Sequence, residues 1–392
     1  MNYFRNITKV DIAKILYIFG ISIIIFFGLL SFLGYLITPD STPNANNQLL
    51  SCALKPPFSK VQYLNVRLNN NLPETSFFNR WLFGKQLNYR LIPFDSIQWN
   101  KNSLTVFEIS STEDSVRFDE EIMFADVLFP ISGSQVCNNC NDSISVLFID
   151  GSCKKYSKFD LKHQIENESI KSKIFIFGTD RFGRDVFSRL VIGGRISLSV
   201  GFVAVFVSLI IGIVLGLISG YYGGWIDKIV QWMINVFWSI PTLLLVIAVC
   251  MALGKGFWQI FIAIGLTMWV EVARVVRGKT MQIKNREYIE AARVLGYSDI
   301  RIMLRHILPN ITGVVLVISA SNFASAILIE SGLSFLGVGI EPPTPTWGAM
   351  IRDHYGYIIV GKAWTAMIPG IAVMMIVWAF TVTGDYLKRY FN

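Results

Sequence analysis

Charged residues are scarce in this chain, and their scarcity indicates the class of protein. Aspartate, glutamate, lysine and arginine make up 16% of the 392 residues, hydrophobic residues make up 53%, and the mean hydropathy is +0.48. Five segments contain no charged residue: 15–37, 196–226, 229–254, 307–329 and 363–384. Each is at least as long as the about 18–20 residues that a helix needs to span hydrocarbon. Runs of this length argue against a soluble protein and indicate a polytopic membrane protein.

A sixth span is predicted over 256–270. This apolar run is shorter, but Glu271 and Arg274 lie one helical turn apart at its end, where both can reach the headgroup layer. The N-terminal apolar run is longer than that of a signal peptide, and no small-residue cleavage site follows it, so we interpret it as a membrane anchor. The predicted fold is therefore an all-α polytopic membrane protein with six transmembrane helices.

Lysine and arginine positions predict the orientation. Basic residues precede the first span, occur between the fourth and fifth spans over 277–305, and follow the sixth span at Lys388 and Arg389. With six crossings these three clusters fall on one side, which the positive-inside rule makes cytoplasmic. A cluster of arginines over 181–195 falls on the other side. It follows a long translocated segment, after which the positive-inside rule is weaker, so the other three clusters decide the orientation. Both termini are expected in the cytoplasm. The net charge of +8 then reflects the membrane surface rather than nucleic-acid binding.

The polar segment 38–175 is expected to be an extracytoplasmic insert between the first and second helices. It is rich in asparagine and contains the strand-like pieces "YRLIPF", "LTVFEI" and "SVLFID". At this length it can bury a small β-rich core of its own. The predicted domains are the N-terminus with the first helix, the insert, and a five-helix core: 1–37, 38–175 and 176–392.

Four of the five cysteines fall in the insert: Cys52, Cys137, Cys140 and Cys153. In an oxidising compartment they predict one or two disulfides, with three full pairings open. The "CNNC" piece also resembles a metal knuckle or a redox pair, but only His163 is near it in sequence, so a structural disulfide is favoured over a metal site. Cys250 lies in an apolar run and is expected to be inert.

A charged, helix-patterned segment, "REYIEAARVLGYSDIRIMLRHILPN", runs from 286 to 310 between two apolar runs. Asn285 is predicted to cap a first helix, and Gly296 stands where a left-handed C-terminal cap is needed. Ser298 is predicted to cap a second helix, which is expected to end near Pro309. The segment is therefore predicted to form a helix pair on the cytoplasmic face. The alternative is that it is a solvated linker between two spans.

"EAARVLG" followed by "HILPN" resembles the EAA motif of ATP-binding-cassette (ABC) importer permeases. The matching residues are Glu290, Ala291, Ala292, Gly296, Leu308 and Pro309. His306 replaces the generic isoleucine, a departure typical of the dipeptide/oligopeptide branch. The small pair Ala291–Ala292 would let another surface approach the helix closely.

Three further segments extend the resemblance to the second permease subunit of that branch. "FGTDRFGRDVFSRLVIGGRISLSVG" (177–201) and "SFLGVGIEPPTPTWGAMI" (334–351) resemble its segments before the second span and after the fifth. "LKPPF" (54–58) is similar to the segment that normally lies just upstream of "GTD". Residues 59–175 have no counterpart in ordinary members. Trp232 and Asn235 stand where many members have an arginine and an aspartate.

The resemblance implies the permease subunit of an ATP-driven importer of dipeptides or oligopeptides in the bacterial inner membrane. Segment 286–309 would be a coupling helix that docks into a cytoplasmic ATPase subunit. The chain has no G-x-x-x-x-G-K-[ST] loop, so it is not expected to be an enzyme, and ATP and Mg would bind to the ATPases. The implied partners are a second homologous permease, two ATPase subunits, an extracytoplasmic substrate-binding protein and membrane lipid.

Alternative functions and sites remain open from the sequence. Nickel chelates or other small solutes are alternative cargoes, and a secondary transporter or a membrane-anchored sensor is an alternative class. Asp180, Arg184 and Asp185 are candidates for a substrate gate, although an interfacial helix held by ion pairs is favoured. Glu330 follows an apolar run, where an ionisable group is a candidate for the pathway or its gate. Glycines at 212, 216 and 220 predict close helix packing, within the chain or against the second permease.

Overall fold

A computed structural model describes residues 2–69, 76–109, 119–140, 143–148, 152–254 and 256–391, with the backbone alone for 2–11 and 132–140. The chain divides into two compact units. The first unit comprises Met1–Phe32, Gly193–Asp353 and Met367–Asn392, and the second comprises Leu33–Ile192 and His354–Ala366.

Helices and strands follow one another along the chain. The helices are α1 (Asn2–Leu33), α2 (Phe77–Phe83), α3 (Phe124–Leu128), α4 (Lys158–Gln164), α5 (Val186–Tyr222), α6 (Gly224–Trp238), α7 (Thr242–Leu253), α8 (Phe257–Lys284), α9 (Glu287–Val294), α10 (Asp299–Ile302), α11 (Leu308–Phe335), α12 (Trp347–His354) and α13 (Trp364–Phe391). The strands are β1 (Ser59–Arg67), β2 (Tyr89–Trp99), β3 (Ser103–Glu108), β4 (Asp119–Met123), β5 (Ile131–Cys140), β6 (Ser143–Phe148), β7 (Cys153–Ser157) and β8 (Ile170–Phe175).

The second unit contains the strands, which form two antiparallel sheets. The five-stranded sheet has the order β4-β3-β2-β1-β8, and the three-stranded sheet has the order β5-β6-β7. Along β3, buried Leu104 and Val106 alternate with half-buried residues, as expected of a strand with one face on a core. The core also receives Ile144 and Val146 from β6, together with Leu161 from α4. The predicted β-rich insert is confirmed.

The ends of the insert meet. β1 and β8 pair so that Ser59 lies opposite Phe175, and the amide of Phe58 donates to the carbonyl of Phe175 at 2.7 Å. Just outside the strands, the amide of Thr179 donates to the carbonyl of Lys55 at 3.0 Å. Segment 54–58 therefore lies beside "GTD" in space, although the insert separates the two pieces in sequence.

Within the described residues, five helical segments are long and apolar enough to cross a membrane: Ile12–Leu36, Val186–Tyr222, Phe257–Lys284, Asp299–Phe335 and Trp364–Phe391. A sixth crossing requires α6 and α7 together, which are bent by 94°. The predicted span over 229–254 is thus not a single straight helix but a bent pair. The break falls at Pro241, which has no amide hydrogen to donate and takes an extended conformation, with φ −54° and ψ 126°.

The predicted glycine packing is confirmed, and it lies within this chain. A Cβ added to Gly212 would be 2.5 Å from the Cβ of Val272, and one added to Gly220 would be 2.7 Å from the Cβ of Thr280. The glycines therefore let α5 approach α8 more closely than any side chain would allow.

The cysteine prediction needs correction. Cys52 and Cys153 are both unpaired in the structure. Cys52 is buried beside Val61 and Phe175, whereas Cys153 is exposed at the start of β7 in the other sheet. Burial raises the pKa of the Cys52 thiol to about 12. The side chains of Cys137 and Cys140 lie outside the described residues, so a disulfide between them stays a prediction.

Candidate functional site

The segment 286–309 contains the two predicted helices. The first, α9, begins after Arg286, whose carbonyl accepts hydrogen bonds from the amides of Ile289 at 2.9 Å and Glu290 at 3.3 Å. Asn285 was predicted to cap this helix, but it ends the preceding one, because α8 continues to Lys284. The start of α9 is thus set one residue later than the sequence indicated.

Gly296 forms the turn after α9, as predicted. Its φ is +74°, in the left-handed region. Its amide donates to the carbonyl of Arg293 at 2.9 Å, and the amide of Tyr297 donates to the carbonyl of Ala292 at 3.1 Å. This pair of bonds is the Schellman motif, which satisfies the last carbonyls of a helix. A Cβ added to Gly296 would meet no atom within 4 Å, so the turn requires glycine for its backbone conformation rather than for space.

The second helix does not end near Pro309. Ser298 precedes α10, but a turn of π-helix over Met303–Ile307 then leads directly into α11. The amide of Leu308 bonds to the carbonyl of Met303, five residues earlier. The π turn places Pro309 in the first turn of α11, where its missing amide hydrogen costs little. The second helix of the pair, α10, is consequently continuous with the membrane helix α11.

The inner side of the helix pair is anchored to the membrane helices of the same unit. Its cluster is formed by Ile289, Ala292, Ile302, Met303 and Ile307, with Leu217, Tyr221, Val272 and Val276 from α5 and α8. The hydroxyl of Tyr221 also donates to the carboxylate of Asp299 at 2.7 Å. A displacement of α9 or α10 must therefore be passed to α5, α8 and α11, since close-packed interiors transmit strain.

The opposite side of α9 is exposed. Glu290, Ala291 and Val294 follow one another at helical spacing, and Leu295 extends the surface. We call these four residues the outer face. Val294 is 89% exposed and Leu295 is 70% exposed, so apolar area lies uncovered on this unit. Of the small pair predicted to admit a partner, Ala291 is on the outer face, but Ala292 is buried in the cluster below it.

The last motif residues lie at the base of α11. The His306 ring is half-buried and stacks on Tyr297, with 5.8 Å between ring centroids. Leu308 is half-buried against the cluster, and Pro309 is exposed. The motif thus includes both residues that hold the helix pair in place and residues that present a surface.

The gate candidates of "GTDRFGRD" form a buried turn in the second unit. The Arg184 Nε lies 2.7 Å from Asp180 Oδ2, and the amide of Arg184 donates to Asp180 Oδ1 at 3.0 Å. Asp185 accepts from the hydroxyl of Ser188 at 2.8 Å and lies 3.5 Å from the Lys173 Nζ. The favoured interfacial helix is wrong here, because α5 begins only at Val186. These carboxylates fix a turn instead.

Glu330 is enclosed in the first unit and is 1% exposed. Its carboxylate accepts hydrogen bonds from the hydroxyls of Ser197 at 3.1 Å and Ser334 at 2.8 Å. The amide of Trp347 donates to the Ser197 hydroxyl at 3.4 Å, which extends the network to α12. Glu330 therefore connects α5, α11 and α12, and a role in the pathway stays a prediction.

One ion pair was not anticipated from the sequence. Arg277 donates from Nε to Asp227 Oδ1 at 2.5 Å and from Nη2 to Asp227 Oδ2 at 2.7 Å, and the hydroxyl of Ser219 also donates to Asp227. The pair joins α6 to α8, beside the end of α5. Asp227 is the residue that ends the uncharged run 196–226, but nothing in the sequence pairs it with Arg277. Within the described ranges, no three His, Cys, Asp or Glu side chains are grouped to hold a metal ion.

Comparison with known proteins identifies this architecture. Residues 212–392 match the model of the binding-protein-dependent transport system inner membrane component family. The chain is 42% identical over 212 residues to the dipeptide transport system permease protein DppC of Bacillus subtilis, covering 54% of this chain and 66% of the relative. It is 42% identical to the glutathione transport system permease protein GsiD of Shigella flexneri and 45% identical to the oligopeptide transport system permease protein OppC of Escherichia coli. Both of these alignments also span 212 residues, covering 54% of this chain and 70% of the relative.

The chain thus matches about two thirds of the length of these relatives. The insert lies outside the family match, which begins at residue 212. The matched part contains the glycine contact with α8, the helix pair and Glu330. The chain belongs to the family of binding-protein-dependent transport system inner membrane components, and it is an ABC importer permease subunit of the peptide and glutathione branch.

Proposed function

We propose that this chain forms half of the translocation pathway of an ATP-driven importer of dipeptides or oligopeptides. A second homologous permease would form the other half, and an extracytoplasmic binding protein would deliver the peptide. The names of the three relatives, which refer to dipeptide, glutathione and oligopeptide transport, support a peptide as the substrate class. The chain would cross the membrane with both termini in the cytoplasm and the insert outside.

The observation that carries the proposal is the uncovered outer face on a firmly anchored helix pair. Val294 and Leu295 expose apolar side chains, whereas Ile289 and Ala292 on the other side are buried. Glu290 adds a charge to the exposed side. A solvated linker would present polar side chains on its exposed side, whereas a helix that docks into a groove presents apolar ones such as Val294 and Leu295. We therefore assign the outer face to an ATPase subunit.

The connection to α11 explains how docking would perform work. In this mechanism ATP and Mg bind to the two ATPase subunits, which approach one another and move the docked helices. Because α10 continues through the π turn into α11, the movement displaces a membrane helix directly. The Tyr221–Asp299 hydrogen bond carries part of it to α5. No catalytic group is needed in this chain, since its task is mechanical.

A charge placed on the outer face tests the assignment. Leu295→Asp would put a carboxylate into an apolar contact, so co-purification with the ATPase subunits and ATP-dependent peptide uptake should both fall strongly. The control is Phe159→Asp, a similar change at a side chain that is 76% exposed on α4 of the insert. Both variants should reach the membrane at wild-type levels. Normal ATPase retention by Leu295→Asp would rule out the outer face as the docking surface.

A further inference from the structure

The insert carries a short apolar helix whose three phenylalanine side chains are exposed in the described part of the chain. In α2, with the sequence "FFNRWLF", no residue is buried. Phe77 is 71% exposed, Phe78 is 61% exposed and Phe83 is 68% exposed. At 100° per residue, Phe77, Phe78, Trp81 and Leu82 occupy one side of the helix, whereas Asn79, Arg80 and the terminal Phe83 lie on the other. The Phe78 and Trp81 rings also contact each other, with 5.5 Å between centroids.

The position of α2 next to the end of the first membrane span identifies what covers it. That span runs over Ile12–Leu36 and ends in a 3-10 turn over Gly34–Leu36. At Gly84, which ends α2, an added Cβ would be 3.0 Å from the Cε1 of Tyr35 and 2.6 Å from the carbonyl oxygen of Ser41. The amide of Lys85 donates to the same Ser41 carbonyl at 2.7 Å. These contacts, all within one unit, hold the end of α2 against the last turn of the span.

The length of the span places Tyr35 at the lipid headgroups. Its 25 residues correspond to about 37 Å of helix, which exceeds the about 30 Å of hydrocarbon, so its end extends into the headgroup layer. That layer is about 5–7 Å thick on each side. A helix packed against Tyr35 is therefore held within about one layer thickness of the lipid. Exposed Phe side chains such as Phe77 and Phe78, with flanking basic residues, are what such a layer accommodates.

We propose that α2 is an interfacial helix, which rests in the headgroup layer of the outer leaflet with Phe77 and Phe78 against the acyl boundary. Arg80 and Lys85 would contact lipid phosphates. The helix would fix the insert to the membrane at a further point besides the two chain connections at its ends. This proposal does not depend on the transported substrate or on the ATPase assignment.

Depth-dependent fluorescence quenching in nanodiscs tests the proposal on the full chain. An environment-sensitive fluorescent amino acid replaces Phe78, and in a separate protein it replaces Phe159, an exposed aromatic residue on α4. Nitroxides are carried on the lipid headgroup or deep in the acyl chain. We expect blue-shifted emission at position 78, quenched at least twofold more by the headgroup nitroxide than by the deep one. Position 159 should show water-like emission with little quenching.

Two outcomes of the quenching experiment would overturn the proposal. Water-like, unquenched emission at position 78 would overturn the proposal. Blue-shifted emission without quenching by either lipid would also overturn it, because a protein surface would then cover the helix. As a second measurement, Arg80→Glu should weaken the headgroup quenching when the nanodiscs contain anionic lipid, and an unchanged signal would contradict the assigned phosphate contact.

Discussion

Replacing Gly296 separates the backbone requirement of the turn from any steric effect. The residue has a φ of +74°, and a side chain there would meet no neighbouring atom within 4 Å. Both hydrogen bonds of the Schellman motif depend on this conformation. Substitutions should therefore rank by how well the new residue tolerates a left-handed conformation: glycine first, then asparagine, alanine and valine.

The expected cost follows from the same conformation. A residue with a Cβ pays about 1–2 kcal/mol in the left-handed region, which corresponds to a factor of about 5–30 in the population of the native turn. Asparagine should lose less, and a β-branched residue should lose the most. Because α9 remains attached through Ile289 and Ala292, the change should tilt the helix pair rather than unfold the chain.

The assay compares Gly296→Asn, Gly296→Ala and Gly296→Val at equal membrane levels. ATPase co-purification and peptide uptake should decrease in that order, while the unfolding temperature of the membrane helices changes little. Gly296→Asn serves as the control for adding a side chain at an open position. If Gly296→Val retained wild-type uptake and ATPase binding, the turn would not set the geometry of docking.

Two further predictions concern thiols and the buried carboxylate. A maleimide should modify exposed Cys153 at pH 8 and leave Cys52 unmodified until the protein is unfolded, because with a pKa of about 12 only about one Cys52 thiol in ten thousand is ionised. Peptide mapping that found equal modification would contradict the burial of Cys52. Glu330→Leu should lower the thermal stability in detergent more than Glu330→Gln does, because leucine leaves the Ser197 and Ser334 hydroxyls without their acceptor, at about 1–3 kcal/mol for each such group. Equal unfolding temperatures would argue against this network.

Features that depend on local pattern could be predicted from the sequence. Apolar length located the spans, and alternation located strands such as β3. The residue type at Gly296 indicated its left-handed turn, because few residues adopt that conformation without cost. Likewise, the spacing of Gly212 and Gly220 indicated a close helix contact, which the structure places on α8.

Features that depend on tertiary context could not be predicted. Pro309 in the sequence indicates the end of a helix, but the π turn before it lets the helix continue. No residue pattern in the sequence predicts such a turn. The pairing of Asp227 with Arg277 joins residues 50 positions apart. "GTDRFGRD" has the charge pattern of a surface helix, yet the fold buries it as a turn. The exposed Val294 was recognised only once the buried side of α9 was known.

Photo-crosslinking from the outer face tests the central claim most directly. A benzophenone amino acid at position 294, whose side chain is 89% exposed, is irradiated in membranes that contain the complete transporter. We predict a crosslink from position 294 to an ATPase subunit, with a yield that changes with the nucleotide present. The same probe at position 159 in the insert should form no such crosslink. A protein that incorporates the probe at position 294, supports uptake and forms no crosslink to an ATPase subunit would contradict the assignment of 286–309 as the coupling segment.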